Sequence, residues 1–138
     1  MENRYLCRGK RIDNGEWVEG YLSYPFCTKK GNESYCFYAK DSLGFYCRCV
    51  VDAATICQCT GLKDKNGKLI WENDIVNCTD EECYGYISWN ENEAGFYFNV
   101  LLEDGSFEEE HVYDYQDCME VIGNVFDNPE LLEGVSNA

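Results

Sequence analysis

The side chains with chemistry to offer are ten cysteines and a single histidine in a chain of 138 residues. Cys47-x-Cys49 and Cys57-x-Cys59 are two pairs that, on neighbouring strands, would face each other and present four thiolates to a zinc ion. Structural zinc sites more often separate paired cysteines by roughly two to four residues on a tight knuckle, whereas a strand holds side chains two apart nearly parallel. Cysteine is also a small hydrophobe and one of the most buried residue types. Cys47, Cys49, Cys57 and Cys59 are therefore read as core residues first and metal ligands second. Cys78 and Cys83 flank the acidic turn Asp80-Glu-Glu82 and are placed to meet as a pair, with no adjacent base to activate either.

His111 follows Glu108-Glu109-Glu110, so a carboxylate stands ready to raise its basicity. No serine or cysteine motif accompanies it, and the residue reads as a solvated strand position. Asp64-Lys-Asn66-Gly67-Lys-Leu69 has the outline of a calcium loop, but placing Gly67 at the turn position puts Leu62 and Asn73 where charged oxygen donors are required. It reads as a turn. No phosphate-binding glycine loop is present, and no cofactor is expected.

Composition narrows the classes. Twenty-six acids against eleven bases give a net charge of −15, a surface that repels phosphate backbones and anionic lipid. Direct binding of nucleic acid or of a membrane is not expected. High aromatic content with two prolines argues for a folded β protein over an acidic disordered chain. The N-terminus is polar and charged and no run of about eighteen apolar residues occurs, which leads to the expectation of a cytoplasmic protein with free thiols.

The elements that must position these groups are short strands between turns. Asn14-Gly15 signals a hairpin between Tyr5 to Cys7 and the strand Trp17 to Tyr24, which Pro25 ends; Thr28 to Ser34 is a loop. Tyr35 to Ala39 and Phe45 to Val51 follow, and in the second Phe45, Cys47, Cys49 and Val51 share one face. Asp52 to Thr55 suits one helical turn. From Thr60 to Val76 two turns, the basic Lys63 to Lys68 with Asn66-Gly67 and then Glu72-Asn73-Asp74, make a joint between the halves of the chain. Beyond it lie strands opening at Ile75, Gly85, Phe96 and Phe107, with Ile87 and Trp89 together on one side and Phe96, Phe98 and Val100 inward, and a short closing strand at Val121-Ile122. Asn128-Pro129-Glu130 is a helix start of little more than one turn.

Asp52-Ala-Ala-Thr-Ile-Cys-Gln-Cys-Thr-Gly-Leu-Lys-Asp-Lys-Asn-Gly-Lys68, followed by Glu72-Asn-Asp-Ile-Val76, resembles the central signature of the YopX family of phage and prophage proteins. Arg8-Gly-Lys-Arg-Ile-Asp-Asn-Gly-Glu-Trp-Val-Glu-Gly-Tyr21 resembles that family's opening and Glu120-Val-Ile-Gly-Asn-Val-Phe-Asp-Asn-Pro-Glu-Leu-Leu132 its close. Ala53 and Asn73 stand where the family usually has proline and glycine, and both changes touch turn geometry alone. The resemblance implies a phage or prophage origin, hence a bacterial host cytoplasm, and no particular reaction. It also implies a mainly β fold with a small SH3-type barrel or roll over 75–133; the strand and turn signals add antiparallel strands over 3–59, a short C-terminal helical turn and a tail at 134–138, and the chain length favours one domain over 3–133.

Two functions from different classes follow. One is a non-catalytic interaction or assembly module, self-associating or binding a basic host or phage protein through aromatic β surface, for which Trp17, Tyr21, Tyr24, Tyr86 and Tyr97 are candidates. The other is an acidic decoy whose carboxylates stand in for phosphates and occupy the groove of a nucleic-acid-binding protein; acids contiguous on one face would favour it. A hydrolytic or metal-dependent enzyme would need a deep cleft containing His111. The acids at Asp80 to Glu82, Glu91, Glu93, Glu103, Asp104 and Glu108 to Glu110 follow the joint, whereas Arg4, Arg8, Lys10, Arg11, Lys29, Lys30 and Lys40 precede it. Glu108, Glu109 and Glu110 are accordingly the candidate interaction residues.

Overall fold

Alternating apolar and polar residues between glycine and Asx turns favour antiparallel pairing, and the computed structural model is built of antiparallel strands and short 3-10 turns, with no α-helix among the described residues. The structure describes residues 5–23, 26–27, 33–40 and 43–133. The chain divides into two compact units, Met1–Cys59 and Thr60–Ala138.

In the first unit β1 (Leu6–Lys10) pairs with β2 (Trp17–Leu22) in the register Leu6↔Tyr21 to Lys10↔Trp17. The reversal uses Gly15 at φ +72°, with the Arg11 N–H donating to the Glu16 carbonyl at 2.9 Å. Next come β3 (Phe26–Cys27), β4 (Glu33–Lys40) and β5 (Tyr46–Val51); β4 pairs with β2, β3 and β5. The end of β5 returns to the end of β1 through an Arg11↔Val51 bridge and a 2.8 Å bond from the Asp52 N–H to the Lys10 carbonyl. Phe37, Ala39, Cys49 and Val51 are buried in this unit. Asp52 caps the 3-10 turn Ala53–Thr55 by accepting from the Ala54 N–H at 3.0 Å, the single helical turn expected there.

β6 (Cys57–Lys63) begins in the first unit, where Cys57 and Gln58 pair with Arg8 and Cys7 of β1, and continues into the second, where it pairs with β7 (Leu69–Trp71). Both turns of the joint are present. Gly67 takes φ +82° in the first, and Asn73 at φ +71° makes the second, leading into β8 (Asp74–Cys78). Asp74 is buried because its carboxylate accepts the Trp71 N–H at 2.8 Å across that turn.

β9 (Cys83–Asn90), β10 (Gly95–Leu101) and β11 (Phe107–His111) extend the meander, and β12 (Met119–Asn124) comes back to pair with β8. The order is β11-β10-β9-β8-β12. One face buries Val76, Cys78, Ile87, Phe98, Val100 and Met119, closed by Ile70 and Val112. Burying a side chain such as Phe98 stabilises by about 1.5–3 kcal/mol, and this face is the unit's principal source of stability.

Two expectations are corrected. The five-stranded sheet is open, with β11 and β12 as its edges, so a closed SH3-type barrel is not what the strands form. The segment after Asn128 is a 3-10 turn, Pro129–Leu132, and the Asn128 side chain makes no cap hydrogen bond there. Trp89 shares the side of Ile87, its partner Phe96 being in phase with Phe98, but is 39% exposed near the end of β9, and Phe45 is 69% exposed before β5 begins. Tyr24, Pro25, the loop Thr28 to Asn32, Arg4 and the tail 134–138 lie outside the described residues.

Candidate functional site

The second unit carries a groove of about 490 Å³ where the β9–β10 turn meets the end of β11. Trp89, Phe96, Tyr97, His111 and Tyr113 supply aromatic walls and Glu93 a carboxylate, with Thr60 and Leu62 of β6 opposite. Strand register explains the gathering. The Asp104-Gly105 turn pairs Leu101 with Phe107, which brings Tyr97 directly opposite His111; their ring centroids are 5.1 Å apart and tilted by 38°. Phe96 stands opposite Trp89 on the other face, in an edge contact at 5.0 Å.

Asn90 is the residue that sets the acids. Its side-chain oxygen accepts the Glu93 N–H at 3.0 Å and so shapes the turn, while its amide donates to Glu109 Oε1 at 2.9 Å. Partial burial, then the nearby charges of Glu93 and Glu109, push the Tyr97 phenol above its ordinary range. Tyr97 is thus an uncharged ring beside His111 with carboxylates within electrostatic reach, an arrangement that attracts a cationic side chain through both the ring face and the acids. The Thr60 hydroxyl donates to the Ile70 carbonyl at 2.7 Å, and no serine or cysteine lines the groove beside His111.

The run Glu108-Glu109-Glu110 is not one face. Alternation along β11 sends Glu109 to the side of Tyr97 and His111, opposite Asn99, and sends Glu108 and Glu110 to the other side, opposite Val100 and Phe98. There Glu110, Glu81 and Asp114 raise the Tyr115 phenol, after burial, and Glu81 and Glu110 act likewise on the Cys83 thiol, after burial and Cys118.

The cysteine pairs separate. β5 pairs with β4 and β6 with β1, so Cys47 and Cys49 are not on a strand neighbouring Cys57 and Cys59. Cys49, Cys57 and Cys59 are buried, in line with the core reading, but Cys47 is exposed, with its Sγ 3.8 Å from that of Cys49. The Cys57 thiol donates to the Thr55 carbonyl at 3.2 Å. Among the described residues no group of three or more histidine, cysteine, aspartate or glutamate side chains is placed to hold a metal ion. Cys78 and Cys83 do meet, as the last register pair of β8 and β9.

The first unit has a groove of its own, of about 570 Å³, lined by Arg8, Trp17, Tyr21, Tyr38, Lys40 and Tyr46 among others. Its cations lie over its rings: the Arg8 guanidinium is 4.7 Å from the Trp17 ring centre and the Lys40 ammonium 5.3 Å from that of Tyr46. Arg48, on the neighbouring strand, donates to the Tyr38 hydroxyl at 3.1 and 3.0 Å. Of the aromatic residues singled out in the sequence, Tyr21 is exposed and Trp17, Tyr86 and Tyr97 are half-buried.

In the sequence His111 stands beside Glu108-Glu109-Glu110 and Glu93 is one of the acids after the joint, but no adjacent residue there brings Tyr97 to His111 or gives Asn90 a role. The signal was present in the Asp104-Gly105 turn, which fixes the β10–β11 register and with it the pair Tyr97 and His111. No helix of the described residues is long and apolar enough to cross a membrane. A comparison with curated proteins finds no match. The family model of the YopX protein matches residues 7–133, nearly the whole chain across both units, and the chain belongs to the YopX family.

Proposed function

We propose that the chain is a non-catalytic protein-interaction module of a phage or prophage, which takes a basic, aromatic-bearing partner surface into the groove at Tyr97. The observation that carries this reading is the arrangement of Glu93 and Glu109 about the Tyr97–His111 pair, with Asn90 bonded to the Glu93 backbone and to the Glu109 carboxylate. The first unit offers the complementary chemistry in its Arg8–Trp17 and Lys40–Tyr46 pairs, so a second copy of the chain is the first partner to expect. Such a contact is heterologous, one copy's basic groove on the next copy's acidic groove. The decoy reading is less well supported, because Glu108, Glu109 and Glu110 divide between the two sides of an edge strand. An enzyme reading gains a cleft with His111 in it, but the Thr60 hydroxyl lining that cleft is engaged with the Ile70 carbonyl and the Leu62 N–H.

Co-purification of an untagged copy with a tagged copy at low ionic strength tests the proposal. The wild-type pair should copurify, and Glu93→Gln with Glu109→Gln should reduce recovery on the order of tenfold while leaving the circular dichroism spectrum unchanged. Undiminished recovery of the double variant, or a shift of duplex DNA by the wild type in a mobility assay, would overturn it.

A further inference from the structure

Three thiols of the second unit converge where β8 ends. Cys78 closes β8 opposite Cys83, the first residue of β9. Cys118 ends the 3-10 turn Gln116–Cys118, and its Sγ lies 2.9 Å from that of Cys78. The strand register accounts for this approach: Met119 pairs with Cys78, which leaves Cys118 one residue from a directly opposed position. Both thiols also donate to one acceptor, the Tyr115 carbonyl, at 3.7 Å from Cys78 and 3.2 Å from Cys118. The two sulfurs are therefore held together by backbone, about 0.9 Å beyond bonding distance. Access is unequal, since Cys78 is fully buried and Cys118 half-buried.

The geometry points to a disulfide-forming pair, with Cys118 as the thiol that meets the oxidant, Cys78 as the thiol that resolves it, and a small disulfide of the glutathione class as the oxidant. The Cys118 thiolate attacks one sulfur of the small disulfide, forming a mixed disulfide and releasing the first small thiolate, which takes up the equivalent of the proton that Cys118 lost on ionising. Cys78 then attacks the Cys118 sulfur, the mixed bond breaks, and the second small thiolate leaves with the proton that Cys78 gives up. Two protein thiols are oxidised and one small disulfide is reduced to two thiols. Burial first, and then the neighbouring Cys118, push the Cys78 thiol far above its ordinary range. Capping Cys118 removes the second of these causes at the moment when Cys78 must act, and the fixed approach of the sulfurs supplies the high effective concentration that a buried thiol needs. Cys83 is the competing partner, and the shared Tyr115 carbonyl favours Cys118 over it.

The test is peptide mapping of the full-length protein after exposure to oxidised glutathione and alkylation of the remaining thiols. A peptide pair joining Cys78 to Cys118, lost on reduction, is the expected result. Cys83→Ser should leave that link in place, and Cys78→Ser should stop the reaction with one glutathione on Cys118. Wild-type protein in which Cys78 and Cys118 both remain alkylatable, in which Cys78 is joined to Cys83, or in which Cys118 accumulates as the glutathione adduct would overturn the assignment. Because the wild-type map needs no variant to fold, it decides the matter alone.

Discussion

At the scale of single residues, Asp64 shows how a turn read as an exposed basic reversal holds a buried anion. Its Oδ1 accepts the N–H groups of Asn66 and Lys68, each at 2.9 Å, and its Oδ2 accepts that of Val121 at 3.0 Å, so the β6–β7 turn is tied to β12. Burial disfavours the charge, but the backbone donors of Val121, Lys68 and Asn66 outweigh it and hold the carboxyl below its ordinary range. The sign follows from that direction. A carboxylate whose folded pKa is depressed stabilises fully above the unfolded value of about 4 and loses its contribution as pH falls through the folded value. Asp64→Ala should therefore cost about 2–4 kcal/mol at neutral pH, measured by urea unfolding, and the difference from wild type should shrink on acidification below about pH 4. Equal destabilisation at pH 7 and pH 3 would contradict the role given to the charge. Nothing in the residues 63–68 announces this anchor, because Val121, its third donor, is distant in sequence.

At the scale of elements, local signals were readable and pairings only in part. Asn73, Gly67 and Gly105 take the positive φ that their turns require, and each was visible as a turn residue. The meander from Ile75 to His111 followed from alternation, since each hairpin places the next strand beside the last. The open ends did not follow, because closure depends on strand length and twist, which alternation does not encode. Trp89 keeps the period-two phase of Ile87, yet Ile87 is buried and Trp89, near the end of β9, is exposed, a difference that alternation does not encode. β4 illustrates the same limit, pairing directly with β2 although β3 lies between them in the sequence, a skip that no periodicity predicts. Glycine at 85 belongs to this scale as well. A Cβ there would collide with the Asn99 carbonyl of β10, which is backbone and cannot yield without breaking the β9–β10 register. Gly85→Ala should cost at least about 3 kcal/mol in chemical unfolding, at the upper end of overpacking penalties, while Gly61→Ala, whose added Cβ meets nothing, should cost less through its φ of +80° alone. The reverse order of the two variants would contradict the packing described for β9.

At the scale of the whole molecule, charge is distributed by unit. Of the basic residues only Lys63, Lys65 and Lys68 follow Cys59, and the acids gather beyond it. This asymmetry is legible in the sequence; the groove at Tyr97 is not, because it draws together β6, the β9–β10 turn and the end of β11, segments up to some fifty residues apart. Contacts between opposite charges at partly exposed surfaces are screened over a Debye length of about 10 Å at 0.1 M salt and about 3 Å at 1 M. Association through the two grooves must then be steeply dependent on salt, whereas association through apolar surface alone would hold or strengthen. Sedimentation velocity at tens of micromolar protein over a salt series is the most direct test. Species larger than the monomer should be present at low ionic strength and should dissociate on the order of tenfold more readily by about 0.5 M salt, with Glu93→Gln and Glu109→Gln reproducing the high-salt behaviour at low salt. A monomer at every salt concentration, or an oligomer indifferent to salt and to both substitutions, would contradict the account.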